Sequence, residues 1–302
     1  MKLRKGRPTV AEIDRAALRA NYGAVRQHVP ENVEVLAVVK ADAYGHGGPE
    51  VARVLEREGV KQFGVATVEE GGALRGRGIV YPEVLVLCGL VAEQVDEILQ
   101  YRLTPVVCDL EMARVLDHRL HGAMRRLPVH LKVDTGLGRL GVPMHELGAV
   151  LPEIAKLEHV QVAGVLTHLG SAVNVVGARV DAQLQAFERA LAELERAGFG
   201  SLVRHVANSS AVLVRPDTYF DVVRPGLVLY GLFPGGAPQG PIELTPVMRL
   251  RTEVLQIRTL PAGHGIGYDR RFVTERESRI ATLPVGYADG YPRSLSSTAE
   301  VL

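Results

Sequence analysis

Lys40 follows four apolar residues in the stretch around AVVKADAYGHG. A lysine at the end of such a run sits in partly desolvated surroundings, which favour the neutral, nucleophilic amine over the ammonium. Such an amine forms Schiff bases with carbonyl compounds. Taken alone, Lys40 fits equally well a lysine that snorkels out to solvent. Its neighbours shift the balance, because Gly45, Gly47 and Gly48 leave the backbone open and Tyr44 offers a hydroxyl to an anionic ligand. Other apolar runs also end in polar residues: Lys132 and Asp134 in HLKVDTGLGRLG, then His168, then Asn208 and Ser209 in HVANSSAVL, then Arg224 and Gly226 in VVRPGLVLYG. Asn208, Ser209 and Ser210, with Gly226 and Leu227, supply hydroxyls and accessible backbone N–H groups of the kind that hold phosphate. Asn208 and Ser209 also suit the cap of a following helix, and Gly226 an ordinary turn.

The elements that carry these residues are short and rich in β-branched side chains, and each is followed by turn residues and a longer amphipathic stretch. Strands are expected at about Val33 to Val39, Gln62 to Ala66, Val84 to Cys88, Pro105 to Cys108, Val129 to Val133, Val162 to Thr167, Val203 to Ala207 and Val222 to Val223. Helical spacing of apolar residues fills segments such as Gly48 to Glu58 and Val180 to Arg196. Eight strands alternating with helices indicate a (β/α)₈ TIM barrel over residues 13–238. Composition turns to Gly and Pro in FPGGAPQGP, and alternation in VMRLRTEVLQIRTL then predicts a smaller β domain over residues 239–302, joined by residues 1–12. That domain stops at Leu302 with an unfinished strand edge, so it is expected to be incomplete.

In a barrel of this kind the catalytic residues stand at the C-terminal ends of the strands, and phosphate is often held by the loops after strands seven and eight. A Schiff-base lysine and a phosphate site in one barrel point to pyridoxal 5'-phosphate. The totals leave room for small-molecule chemistry. Lys and Arg number 35 against 34 Asp and Glu, without long runs of either sign, which argues against nucleic acid or an anionic membrane as partner. No apolar stretch suits a secretory signal or a membrane span, so the cytoplasm is the expected location. Cys88 and Cys108 lack metal-ligand spacing and are expected to be buried thiols; no metal is expected.

The successive motifs AVVKADAYGHG, LKVDTGLGRLG, HVANSSAVL, VVRPGLVLYG and LPVGYADGYPR resemble those of the alanine racemase family, in the family's order, from Val38 to Arg293. The resemblance implies an isomerase that interconverts L-alanine and D-alanine through an external aldimine of pyridoxal phosphate, supplying D-alanine for the bacterial cell wall. It implies that Lys40 carries the cofactor and moves the proton on the D side, while Tyr268 in GIGYDRRF acts on the L side from the partner subunit of a homodimer. Two bases accord with the chemistry, since a proton leaves one face of a planar centre and another arrives on the opposite face. Without the family match, Tyr268 reads as a strand tyrosine packed on Phe272.

By the same resemblance Tyr44, His168, Asn208, Ser209, Gly226 and Leu227 surround the cofactor. Arg224 contacts its pyridine nitrogen, and Arg139 its phenolic oxygen together with the substrate carboxylate. Lys132 matches a position often carbamylated in relatives; unmodified, it would face Arg139, and either Asp134 or an anion must compensate. Tyr287 and Arg293 shape the substrate corridor, with Asp289 and Gly290 forming a turn between them. One departure is Val173, which stands where the family usually has an acidic residue. Three other readings stay open. They are a decarboxylase of the same barrel type, disfavoured by Arg224; a pyridoxal-phosphate-binding barrel without racemase activity; and a serine or broad-specificity racemase.

Overall fold

The computed structural model describes residues 6–122, 125–171, 175–236 and 241–301; Val173 lies outside them. Asp14–Val247 form one unit, and the described residues of Met1–Ile13 and Met248–Leu302 form the other. The larger unit is the predicted barrel. Its strands are β1 Glu34–Val38, β2 Gln62–Val65, β3 Glu83–Val86, β4 Thr104–Val107, β5 Leu127–Asp134, β6 Val160–Leu166, β7 Val203–His205 and β8 Val222–Val223. They pair in parallel in the order β8-β1-β2-β3-β4-β5-β6-β7. Between β7 and β8 an isolated parallel bridge, Asn208 to Arg224, brings the two ends of the sheet together. Val and Leu dominate these strands because both faces are covered, one by the helices and one by the barrel interior. Leu36, Val38, Leu85 and Val222 pack together inside, each removing a side chain worth about 1.5–3 kcal/mol from water.

Side-chain caps set where the helices begin. Asp14 accepts from Ala16 N and Ala17 N, Asp109 from Met112 N, and Asn208 from Ala211 N, each satisfying amides that a first helical turn leaves open. Residues 241–247 stay with the barrel because Asn21 clamps them: its amide donates to Thr245 O at 2.8 Å and its oxygen accepts from Thr245 N at 2.8 Å.

The barrel interior also holds a pair of histidines. His130 Nδ1 lies 2.8 Å from His205 Nε2, with the rings edge-on at 4.9 Å. Gly164 makes the space, since a Cβ there would be 2.6 Å from the His130 ring.

The smaller unit is a set of antiparallel pairs. The strand Val10–Ile13 pairs with β9 Met248–Arg251, β10 Gln256–Leu260 with β13 Ser278–Thr282, and β11 Gly265–Ile266 with β12 Phe272–Val273. Thr274, almost fully buried, accepts from His264 N and donates to Pro261 O, fastening the open end of the β11–β12 hairpin to the segment that leads into β11. No helix among the described residues is long and apolar enough to cross a membrane.

Candidate active site

The C-terminal ends of the barrel strands open into a cavity of about 230 Å³ lined by Lys40, Tyr44, Cys88, Lys132, Arg139, His168, Asn208, Ser209, Ser210, Arg224, Gly226 and Leu227, among others. Nearly every barrel residue singled out from the sequence is therefore in one place. Tyr268 and Tyr287 belong to the smaller unit, where 96% and 78% of their surfaces are exposed. Tyr268 opens a short 3₁₀ turn, Tyr268–Arg270, and at that exposure it is not packed on Phe272. Asp289 Oδ2 accepts from Gly286 N and Gly290 adopts φ +81°, so these two residues do form the turn after Tyr287.

One end of the cavity brings two hydroxyls and a glycine backbone together. Ser209 Oγ accepts from Gly226 N at 2.8 Å, and a Cβ at Gly226 would stand 2.7 Å from the Tyr44 hydroxyl, so glycine lets the backbone and that hydroxyl approach one another. Tyr44 is braced from behind by Tyr230, whose ring centroid lies 5.2 Å away and whose own hydroxyl donates to Val38 O. Burial pushes the Tyr44 hydroxyl above its usual pKa, which keeps it a donor. Asn208 lines the cavity, but its side-chain oxygen is committed to the cap of the following helix.

Arg224 is buried without a carboxylate partner. Its Nη2 donates to Thr167 O at 2.7 Å and Val206 O at 3.1 Å, while Nη1 has no partner among the described residues. Burial lowers its pKa to about 10, which still leaves it charged near neutrality. His168 is held at a pKa of about 3, first by burial and then by Arg224, Arg139, Lys132 and Lys40, so its imidazole is neutral. Gln183 reaches in from the helix Ala178–Arg196, donates to His168 O and accepts from Gly170 N.

Lys132 is 4% exposed, and its pKa is depressed, chiefly by burial. Asp134 does not compensate it. Both Asp134 oxygens are taken by the following loop, Oδ1 accepting from Gly136 N and Leu137 N and Oδ2 from Gly138 N. The loop returns so closely that a Cβ at Gly141 would meet Lys132 O at 2.9 Å. Among the described residues, no carboxylate lines the cavity or pairs with Lys132, Arg139 or Arg224. The site is thus a cationic, partly desolvated pocket with two primary amines, those of Lys40 and Lys132, one hydroxyl-rich end and one unpartnered guanidinium nitrogen.

The expectation that both cysteines are buried is corrected. Cys88 is exposed and lines the cavity, because it lies two residues beyond the end of β3, where the barrel wall opens; Cys108 is half-buried. Sequence reasoning also missed Gln183 and the His130–His205 pair. The pair carried a readable signal, since His130 stands two residues before Lys132 on β5 and so shares its inward face.

Comparison with known proteins adds to this geometry. Sequence models of the alanine racemase N-terminal and C-terminal domains match residues 13–234 and 247–302. The alanine racemase of Geobacter sulfurreducens is 43% identical over 299 residues, spanning 98% of this chain and 78% of that protein. The alanine racemase structure from Clostridium difficile superposes with a TM-score of 0.88 at 33% identity, covering 96% of this chain and 76% of its own. The Bartonella henselae alanine racemase, with covalently bound pyridoxal phosphate, gives 0.85 at 32% identity, over 96% and 79%.

Proposed function

Because the chain belongs to the alanine racemase family, we propose that it interconverts L-alanine and D-alanine, with pyridoxal 5'-phosphate held on Lys40 and Tyr268 of the partner subunit in a homodimer as the opposing base. The observation that carries this reading is the cavity that gathers Tyr44, Ser209 and Gly226 with four basic side chains, Lys40, Lys132, Arg139 and Arg224, and, among the described residues, no lining carboxylate. The residues fit the cofactor. Glycine at 226 leaves the cradle between Tyr44 and Ser209 open for a phosphate, and the free Nη1 of Arg224 is a buried donor lacking an acceptor, which a pyridine nitrogen supplies.

When bound, pyridoxal phosphate withdraws electrons from the substrate's Cα–H bond. The protein's own task is to move protons at Cα. Lys40 Nζ takes or returns the proton on the D face and Tyr268 Oη on the L face. Arg224, protonated throughout the neutral range, can donate to the ring nitrogen but cannot hand over a proton, so charge at Cα stays short-lived and is quenched by reprotonation. Arg139 is suited to the substrate carboxylate by its planar guanidinium. Tyr287 would flank the entrance to the site.

Lys132 is proposed to be carbamylated. Its depressed pKa raises the share of neutral amine, which adds to carbon dioxide with release of one proton, and the resulting anion answers Arg139, which Asp134 leaves without a partner. The test of the function follows the α-proton signal of L-alanine by NMR in D₂O, with a chiral assay for D-alanine. Loss of the signal with D-alanine appearing is expected. A signal that persists although Lys40 holds the cofactor leaves only a binding protein.

A further inference from the structure

The chain immediately after Lys40 does something that ordinary L-residues avoid. Ala41, Asp42, Ala43 and Tyr44 have φ of 51°, 53°, 55° and 54°, a full left-handed turn built without glycine. Each such residue is strained, so the turn persists only because its surroundings over-determine it. Several contacts hold it. Ala43 N donates to Val39 O, Gly47 N to Asp42 O, and Asp42 Oδ1 accepts from Gly48 N at 2.6 Å, closing the far end. The near end, beside the lysine, is held from another part of the barrel. Glu70, on the helix Val68–Gly76 that follows β2, accepts from Ala41 N through Oε1 at 2.7 Å and from Ala66 N through Oε2 at 2.7 Å.

We propose that Glu70 is a positioning residue, whose carboxylate locks the first amide of the left-handed turn and so fixes the direction in which Lys40 presents its amine; this rests on the reading that Lys40 holds pyridoxal phosphate. The carboxylate suits this role because it accepts at both oxygens, tying the end of β2 to the residue after the lysine. Hydrogen bonds to a charged acceptor are stronger than neutral ones. Tyr44, at the other end of the turn, is braced independently by Tyr230. Loosening Ala41 should therefore disturb the amine more than the phosphate end.

The experiment uses the full chain stripped of cofactor, in wild type, Glu70→Ala and the isosteric Glu70→Gln, with Glu69→Gln as control on the same helical turn. Two probes separate the roles. Pyridoxal phosphate reports covalent capture by Lys40 through the growth of its Schiff-base absorbance; pyridoxamine phosphate has the same ring and phosphate but no aldehyde to capture. Glu70→Ala is expected to slow capture on the order of tenfold to a hundredfold, as small misplacements of a reacting group do. Its Kd for pyridoxamine phosphate should change by less than about threefold. Glu70→Gln should fall between, since one amide oxygen cannot serve both N–H groups, and Glu69→Gln should match wild type. Capture within about twofold of wild type in both Glu70 variants overturns the proposal, as does an equal loss on both probes, which marks a general support of the fold. Wild-type protein showing no pyridoxal adduct at Lys40 after borohydride reduction and peptide mapping overturns the cofactor reading itself, and the proposal with it.

Discussion

The Tyr44 hydroxyl occupies the space that a side chain at Gly226 would need, with only 2.7 Å between it and a Cβ built there. Tyr44 cannot swing aside freely, because Tyr230 packs behind it. Gly226→Ala is therefore expected to displace the hydroxyl from the anion end and to weaken pyridoxamine phosphate binding on the order of tenfold. In a Tyr44→Phe background the same change should cost clearly less, since the clashing oxygen is gone. Strictly additive losses in this double-mutant cycle would show that the two residues do not act together.

Lys40 and Tyr268 are expected to divide the two faces of the substrate. Lys40→Ala should lose covalent cofactor capture and all exchange. Tyr268→Phe should keep the capture and still wash deuterium into D-alanine, but lose inversion by about 10²–10⁴-fold, the usual worth of a positioned base. A site shared between subunits makes a second demand. Mixing Lys40→Ala with Tyr268→Phe chains, reassociated at random, should restore about a quarter of wild-type activity, because half the dimers are mixed and each mixed dimer rebuilds one intact site. No recovery on mixing would place both bases in one chain.

Arg75 clips the opposite end of the barrel together. It donates to five backbone carbonyls, those of Tyr101, Ile79, Val80, Pro82 and Arg102, which belong to the loops leading into β3 and β4. Arg75→Ala should cost on the order of 3 kcal/mol in urea unfolding, because partly buried carbonyls lose a charged donor. Arg75→Lys should recover less than half, since an ammonium cannot span the fork. Full recovery by lysine would mean that charge alone matters there.

The barrel was legible because its strands are short β-branched runs and its site residues stand directly after them. Lys40, Lys132, His168, Asn208 and Arg224 could all be picked out by position at a strand end. What was not legible depends on distance or on backbone shape. Glu70 reaches Ala41 across 29 residues, and nothing in an ordinary helical N-terminus announces a second acceptor role. The left-handed turn falls on Ala-Asp-Ala-Tyr, residues whose local preference is right-handed, so only the folded surroundings select it. Gln183 looked like one more polar residue on an amphipathic helix, yet it is 3% exposed and turned toward His168. Cys88 misled for the converse reason, because an apolar run carried it past the end of its strand into the open cavity.

The neutral histidines should write themselves into the acid stability of the cofactor-free protein. His168 has a pKa of about 3 in the fold, and burial lowers His130 and His205 as well. An unfolded histidine titrates near 6.5, so between that value and the folded pKa the unfolded chain binds more protons than the native one. The stability His168 contributes is therefore complete above about pH 6.5 and is lost as pH falls toward 3, at up to about 1.4 kcal/mol per pH unit, and the lowered His130 and His205 add a loss of the same sign. Carboxylates add their own loss only in the lower part of this window. His168→Gln removes one such proton without emptying the site, so its urea-unfolding free energy should fall less steeply than that of wild type between about pH 6.5 and about pH 4.5. Parallel curves would mean that His168 takes up its proton in the folded state, and that the cations around it are held farther from the imidazole than their place in one cavity requires.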